Sequence, residues 1–262
     1  MKKFTKLTAF ALALVMALGL LAGCGSSNSD TNSDANTSGD DAAKTKLVVA
    51  TSPDFPPFEY LEGGEVVGIE VDILNKVAEK MGMELDIQQM DFDSVIPGVQ
   101  AGKFDVGMSG ITVTDKRKEN VDFSSVYFMA AQAIVVTADS GITGKADLEG
   151  KKVSVQTGTT AEEYCMGNGY EVLAFTANND AAAALTSGKV DAWVVDNEVA
   201  LAMAPELGLT VLDEAMTSEP YAFAFQKGSE LVTPFNEALD ALLSDGTVEQ
   251  IFQQYGVTYI AP

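Results

Sequence analysis

The sequence predicts an α/β protein of two lobes, each a mainly parallel sheet flanked by helices, with two extended strands joining the lobes as a hinge. Three observations carry that expectation. Short β-branched runs alternate with stretches of helical period from about residue 46 onward. The segments VQAGKFDVGMSGI (99–111) and LTSGKVDAWVVDN (185–197) share one grammar: a helix end, Gly-Lys, an apolar residue, Asp, then a strand. Finally, the length from 46 to 262 is long for one ordinary domain and suits two modest ones.

The elements follow in order. KLVVAT (46–51) is a β-branched strand. SPDFPPFEYLEGGEVVG (52–68), punctuated by proline and glycine, begins as a loop. VDILNKVAEKMGM (71–83) spaces Ile73, Val77 and Met81 as a helix does, and Gly82 stops it. ELDIQQM (84–90) is a strand. DSVIPGVQAGK (93–103) is a helix in which Pro97 needs an early position, and DVGMSG (105–110) is a strand. The pattern then repeats as strand 151–158, helix 159–169, strand 171–176, helix 179–189, strand 191–196 and helix 197–207. AQAIVVTADS (131–140) and YAFAFQKGS (221–229) read as the two hinge strands, and 233–256 as C-terminal helices that return to the first lobe. The expected division is lobe 1 over 46–130 and 225–262, and lobe 2 over 131–224.

The N-terminus sets a compartment. Lys2, Lys3 and Lys6 precede an apolar run, the pattern of a signal peptide over 1–23. LAGC (21–24) resembles the bacterial lipobox, which implies lipid on Cys24, extracytoplasmic anchoring to the cell membrane and a Gram-positive surface. Residues 24–45 are small and polar and read as a flexible tether. With Cys24 acylated, Cys165 has no partner in the chain and reads as a buried or idle thiol. The absence of histidine and of any Cys-x-x-Cys argues against a transition-metal site, and nothing calls for a cofactor. Thirty-eight acids against sixteen bases, net charge −22, disfavour nucleic acid as a partner.

One arginine stands among those sixteen cations: Arg117, in SGITVTDKRKENVDFS (109–124). This stretch begins at the carboxyl end of a strand, where open α/β sheets bind ligands. A guanidinium there suits bidentate capture of a carboxylate; the rival reading is a solvated charge patch. In VQTGTTAEEY (155–164), Gly158, Thr159 and Thr160 join a strand to a helix whose free N–H groups attract an anion. Either threonine can cap that helix, with Glu163 placed as a capping-box partner of Thr160. Asp196 ends a strand before a helix, so it can hold an ammonium group or serve as an N-cap. Phe55, Phe58 and Phe92 lie in or beside loops; a core or lid role fits Phe58 best, and a pair of rings can clamp a ligand side chain.

These stretches, together with GIEVDILNKVAEKM (68–81), resemble the polar amino-acid solute-binding proteins of ABC transporters, family 3, over about residues 46–262. The resemblance implies the type II periplasmic-binding-protein-like fold and a monomer. It implies binding of a polar L-α-amino acid in the inter-lobe cleft for delivery to a membrane permease, without catalysis. Arg117 would hold the α-carboxylate with Thr112, Thr160 and Thr159. Asp196, with Gly110 and Thr112, would hold the α-ammonium. Ser52, Phe55, Phe92, Ser109 and Gln156 would face the ligand side chain. Relatives that bind cationic amino acids or glutamine often carry an acid where this chain has Ser52, so the side-chain pocket reads as uncharged apart from Glu59 or Glu70. The aromatic pair keeps a cationic ligand open. Competing readings are a secreted cyclohexadienyl dehydratase-like enzyme on the same scaffold, with Glu59 and Glu70 as its acid–base candidates, and an amino-acid sensor input.

Overall fold

The computed structural model describes residues 45–262; the signal peptide, lipidated Cys24 and tether expected from the sequence lie outside the described residues. The first strand, β1 (Lys46–Thr51), falls where its β-branched run predicts. The stretch behind it is more than a loop. β2 (Asp54–Phe55), β3 (Glu59–Glu62) and β4 (Glu65–Val67) form a small antiparallel sheet. Its hairpin pairs Glu62 with Glu65 around Gly63 and Gly64, both at positive φ (61° and 94°), which a two-residue turn demands. α1 (Ile69–Met81) buries Ile69, Ile73, Leu74 and Val77 and ends at Gly82 in the left-handed region.

β5 (Glu84–Gln89) and α2 (Phe92–Gln100) follow. Pro97 is interior to α2 rather than in its first turn. The helix survives the lost hydrogen bond because Val95 and Val99, both fully buried, anchor its face against the core. Then come β6 (Val106–Gly107), the short α3 (Asp115–Lys118), β7 (Val121–Phe123), β8 (Phe128–Ala130) and β9 (Gln132–Val136). The second half supplies β10 (Lys152–Gln156), α4 (Thr160–Gly167), β11 (Glu171–Phe175), α5 (Asn178–Thr186), β12 (Ala192–Asp196) and α6 (Asn197–Met203). β13 (Thr210–Val211), β14 (Glu219–Tyr221), β15 (Ala224–Gln226), α7 (Val232–Ser244) and α8 (Thr247–Gln254) complete the chain.

Two five-stranded sheets share one plan. The first runs β5-β1-β6-β15-β7 and the second β11-β10-β12-β9-β13. In each, three strands are mutually parallel and the fourth is antiparallel to both neighbours. The Gly-Lys-x-Asp repeat thus marks equivalent positions, the entries to β6 and β12. The hinge strands sit differently from expectation. β9 and β15 are each absorbed into a sheet as its antiparallel strand. The two-stranded ladder between the sheets is β8 with β14, formed by the residues just before them: Glu219 faces Ala130 and Tyr221 faces Phe128. Runs as apolar as QAIVV are buried on both faces, which favours a sheet interior over a connecting ribbon.

Cys165 is free and buried, and burial pushes its thiol up to about 12. Among the described residues no helix is long and apolar enough to cross a membrane.

Candidate functional site

The carboxyl ends of β1, β6, β10 and β12 converge between the two sheets, and a cleft lies where they meet. From the first sheet it is lined by Phe55, Phe92, Ser109, Gly110, Thr112 and Arg117; from the second by Gln156, Thr159, Thr160 and Asp196. The free volume among them is about 10 Å³, room for about one water molecule. A ligand of amino-acid size therefore enters only when the walls separate. A larger hollow of about 540 Å³ lies between α1 and α7, lined mostly by Met81, Met83, Leu231, Pro234, Ala238 and Ala241. It is away from the strand ends.

Arg117 is placed by a short cap. Thr114 Oγ accepts from the Arg117 backbone N–H at 3.1 Å and starts α3. The guanidinium donates through Nη1 to the Thr112 carbonyl (2.9 Å) and through Nη2 across the cleft to the Gly158 carbonyl (3.1 Å). Its carbon stands 5.6 Å from the centroid of the Phe92 ring. Burial lowers its pKa, opposed by the charges of Glu163, Glu219 and Asp196. The neighbouring Lys116 pairs instead with the exposed Glu163. The guanidinium is therefore not a solvated patch: it is held over the cleft by neutral carbonyls.

Gly110 has φ +51°, and a Cβ there would meet the Phe55 ring at 2.4 Å, so glycine is what lets that ring close over the loop. Its N–H donates to Glu70 Oε2 at 3.0 Å, which leaves its carbonyl as the group it can offer. Ser109 Oγ donates to Glu59 Oε1 (3.1 Å) and accepts from the Ser52 N–H (3.1 Å). Glu59 and Glu70 thus stand behind the lining, not in it. Burial first, and the adjacent Glu70 second, push the Glu59 carboxyl well above the ordinary range; Tyr127 donates its hydroxyl to Glu70. Ser52 is also behind the wall, its hydroxyl donating to Asp54 Oδ1 at 3.0 Å.

On the second wall Thr159 is the cap of α4. Its Oγ accepts from the Glu162 N–H (3.2 Å), while Glu162 Oε2 reaches back to the Gly158 N–H (2.7 Å). The box is therefore Thr159 with Glu162, one residue earlier than the Thr160–Glu163 reading. Thr160 becomes the first helical residue, with an N–H that has no acceptor in its own helix. Asp196 occupies the N-cap position of α6 but does not cap it. Its carboxylate turns into the cleft, accepting from Tyr221 OH at 2.5 Å and from Gln132 Nε2 at 3.0 Å. Burial pushes its pKa up to about 7, tempered by those two hydrogen bonds. Gln132 also donates to Thr160 Oγ (3.3 Å), and its own Oε1 is buried without a partner.

Three members of this constellation are not marked as site residues by their sequence context: Gln132, Tyr221 and Asp54. The only signal at Gln132 is a lone amide inside the apolar run of β9. Tyr221 is one more aromatic in YAFAF. Asp54 lies two residues from Ser52 in extended backbone, where i and i+2 share a side.

A cationic fork and a buried carboxylate on facing walls make a receptacle for a zwitterion. Comparisons with known proteins place the chain in a family. Residues 47–258 match the family described as bacterial extracellular solute-binding proteins, family 3. The arginine-binding extracellular protein ArtP of Bacillus subtilis (strain 168) is 36% identical over 243 residues, covering 90% of this chain and 92% of ArtP. An ancestral arginine-binding protein is similar in its arginine-bound structure (41% identical, TM-score 0.76) and in its glutamine-bound structure (40%, 0.77). Each match covers 81% of this chain and 98% of that one. The ancestral amino acid-binding protein AncCDT-1, a precursor of cyclohexadienyl dehydratase, is 35% identical with a TM-score of 0.75, covering 80% of this chain and 95% of its own. The chain belongs to the bacterial extracellular solute-binding proteins, family 3.

Proposed function

We propose that the protein binds a polar L-α-amino acid between its two sheets and delivers it to the permease of an ABC transporter. The observation that carries this is the opposition of Arg117 on the first wall to Asp196 on the second. In this reading Arg117 takes the α-carboxylate, assisted by Thr112 and by the amides of Thr159 and Thr160 at the start of α4. Asp196 takes the α-ammonium with the Gly110 carbonyl and Thr112. Phe55 and Phe92 flank the ligand side chain, with Ser109 and Gln156 nearby; Ser52 acts through Ser109 and Asp54 rather than by contact. The lobes divide at 46–130 with 225–262 and at 131–224. The signal peptide over 1–23 directs export and is removed, and lipid on Cys24 then holds a monomer at the outer face of the membrane. A catalytic reading is weaker because Glu59 and Glu70, its acid–base candidates, are shielded by Ser109 and Gly110.

The test is a calorimetric titration of the twenty L-amino acids into protein that has been unfolded and refolded to strip carried ligand, beside Arg117→Ala. Arginine and glutamine, bound by the ancestral relative, are the first candidates. Tight binding of one or a few amino acids, lost in the variant, is the expected result. No binding by any of the twenty overturns the assignment, and turnover of prephenate or arogenate then tests the enzymatic alternative.

A further inference from the structure

We propose that Asp54 is a latch: a carboxylate from the first wall that caps a helix of the second wall and so ties closure of the cleft to the placement of Gln156. The inference rests on the cleft-binding reading above.

α5 begins without a cap of its own. Its N-cap residue, Ala177, has no side chain able to accept a hydrogen bond. The acceptor comes from β2: Asp54 Oδ2 takes the Asn178 backbone N–H at 2.7 Å. A carboxylate at that position satisfies an amide that the helix cannot satisfy and meets the positive end of the helix dipole. The same carboxylate accepts from Gln156 Nε2 at 3.2 and 3.4 Å and from the Ser52 hydroxyl at 3.0 Å. Gln156 is then held at its other end, because Asn178 Nδ2 donates to Gln156 Oε1 at 3.0 Å, and Nε2 also reaches the Thr176 carbonyl at 3.1 Å. Gln156, a cleft-lining residue, thus has its amide oriented through Asp54.

Arg117 also crosses the cleft, to the Gly158 carbonyl, and Lys116 with Glu163 is an exposed ion pair of the kind that contributes little. The Asp54 contacts are several and part-buried. Burial pushes the Asp54 carboxyl above its ordinary range despite them. Its hydrogen-bond acceptors, with its charge at the start of α5 as a smaller part, are what favour the closed arrangement. When the walls part, Asn178 loses its cap and the Gln156 amide is released. Asp54 is thus a positioning residue, not a group that reads the ligand side chain.

The experiment uses the full chain with Asp54→Ala and Asp54→Asn, titrated with L-arginine and with L-glutamine. Loss of a helix cap corresponds to roughly a 5- to 30-fold change in an equilibrium. Asp54→Ala is expected to weaken both amino acids by the same factor in that range. Asp54→Asn, which keeps an acceptor oxygen, is expected to lose markedly less. A loss confined to arginine, equal in both variants, would mean that Asp54 reads a ligand cation and would overturn the latch; so would unchanged affinities in Asp54→Ala. Should the wild type bind neither amino acid, the failure belongs to the ligand assignment. The latch is then read from hydrogen exchange of the Asn178 amide in the ligand-free protein. Faster exchange in Asp54→Ala supports it and an unchanged rate refutes it. Thermal melts of each variant guard against a fold that has simply collapsed.

Discussion

The two walls of the cleft are built on one sheet plan, yet they satisfy their polar groups in opposite ways. On the first wall the partners are local to that wall: Ser109 on Glu59, the Gly110 amide on Glu70, one arm of Arg117 on Thr112. On the second wall some are local, Gln132 on Asp196 and Asn178 on Gln156, but others come from elsewhere. Asp196 is bonded by Tyr221 from the strand between the sheets, and Gln156 by Asp54 from the opposite wall. The first wall is therefore largely preorganised whatever the separation of the walls, whereas Gln156 on the second is fixed through Asp54 only when they meet. In the proposed reading this orders events: a ligand docks first on the Arg117 side, and closure then brings Asp196 and the start of α4 onto it.

The comparison breaks most severely at Arg117. Arg117→Ala removes the charge-assisted fork, and breaking such a desolvated pairing costs about 3–5 kcal/mol, an expected loss of about two to four orders of magnitude in calorimetric Kd. Arg117→Lys, which keeps charge but not the fork, falls between.

On the other wall, Asp196→Asn is expected to weaken binding by about 2–3 kcal/mol, the range of a hydrogen bond to a charged group. It also separates the walls by pH. Because the Asp196 carboxyl is raised to about 7, affinity for the α-ammonium falls as pH drops below that value, approaching tenfold per unit, and the Asn variant lacks this dependence. Stability of the ligand-free protein has the opposite sign. The folded state holds the Asp196 proton more tightly than the unfolded chain between the ordinary carboxylate range and pH 7. The contribution is thus fully present at low pH and is lost as pH rises through about 7. Melting temperatures of wild type and Asp196→Asn at pH 5 and pH 8 check it: the gap between them should shift in favour of the variant at the higher pH.

Gly110→Ala tests preorganisation of the first wall. The added Cβ collides with the Phe55 ring in a left-handed backbone, a strain of about 1–3 kcal/mol, expected as a lower melting temperature together with weaker binding. The smallest effect belongs to Phe92→Leu. It removes the ring beneath Arg117, a contact of about 0.5–1 kcal/mol, expected as a two- to fivefold change in Kd. A larger loss for one amino acid than for another would mark Phe92 as a reader of the ligand side chain.

How far the site is legible in the sequence follows the same division. Local grammar announces the strands and helices that end at the cleft: the Gly-Lys-x-Asp repeat locates β6 and β12, and the lone arginine locates the first wall. What depends on distant partners stays hidden. Nothing near Asp54 shows that Ala177 leaves a helix uncapped more than a hundred residues away. Tyr221 meets Asp196 only because β14 pairs with β8 between the sheets. The misplaced hinge has the same origin, since period and β-propensity identify a strand but not which sheet receives it. The capping box slips by one residue because TT followed by EE offers two registers, and the loop geometry at Gly158 selects the first.

The Tyr221 hydroxyl has one more consequence. It stands on one of the two strands that carry the chain between the sheets, so Asp196, the acid proposed to meet the ligand, is tethered to the pivot and not to the rim. In a pair of tongs, a small rotation at the pivot becomes a wide travel at the tips. An ammonium group that competes with Tyr221 for Asp196 acts at the short arm of that lever. Its effect is largest where Asp54 meets Asn178 and where Lys116 meets Glu163, the points at which the jaws touch.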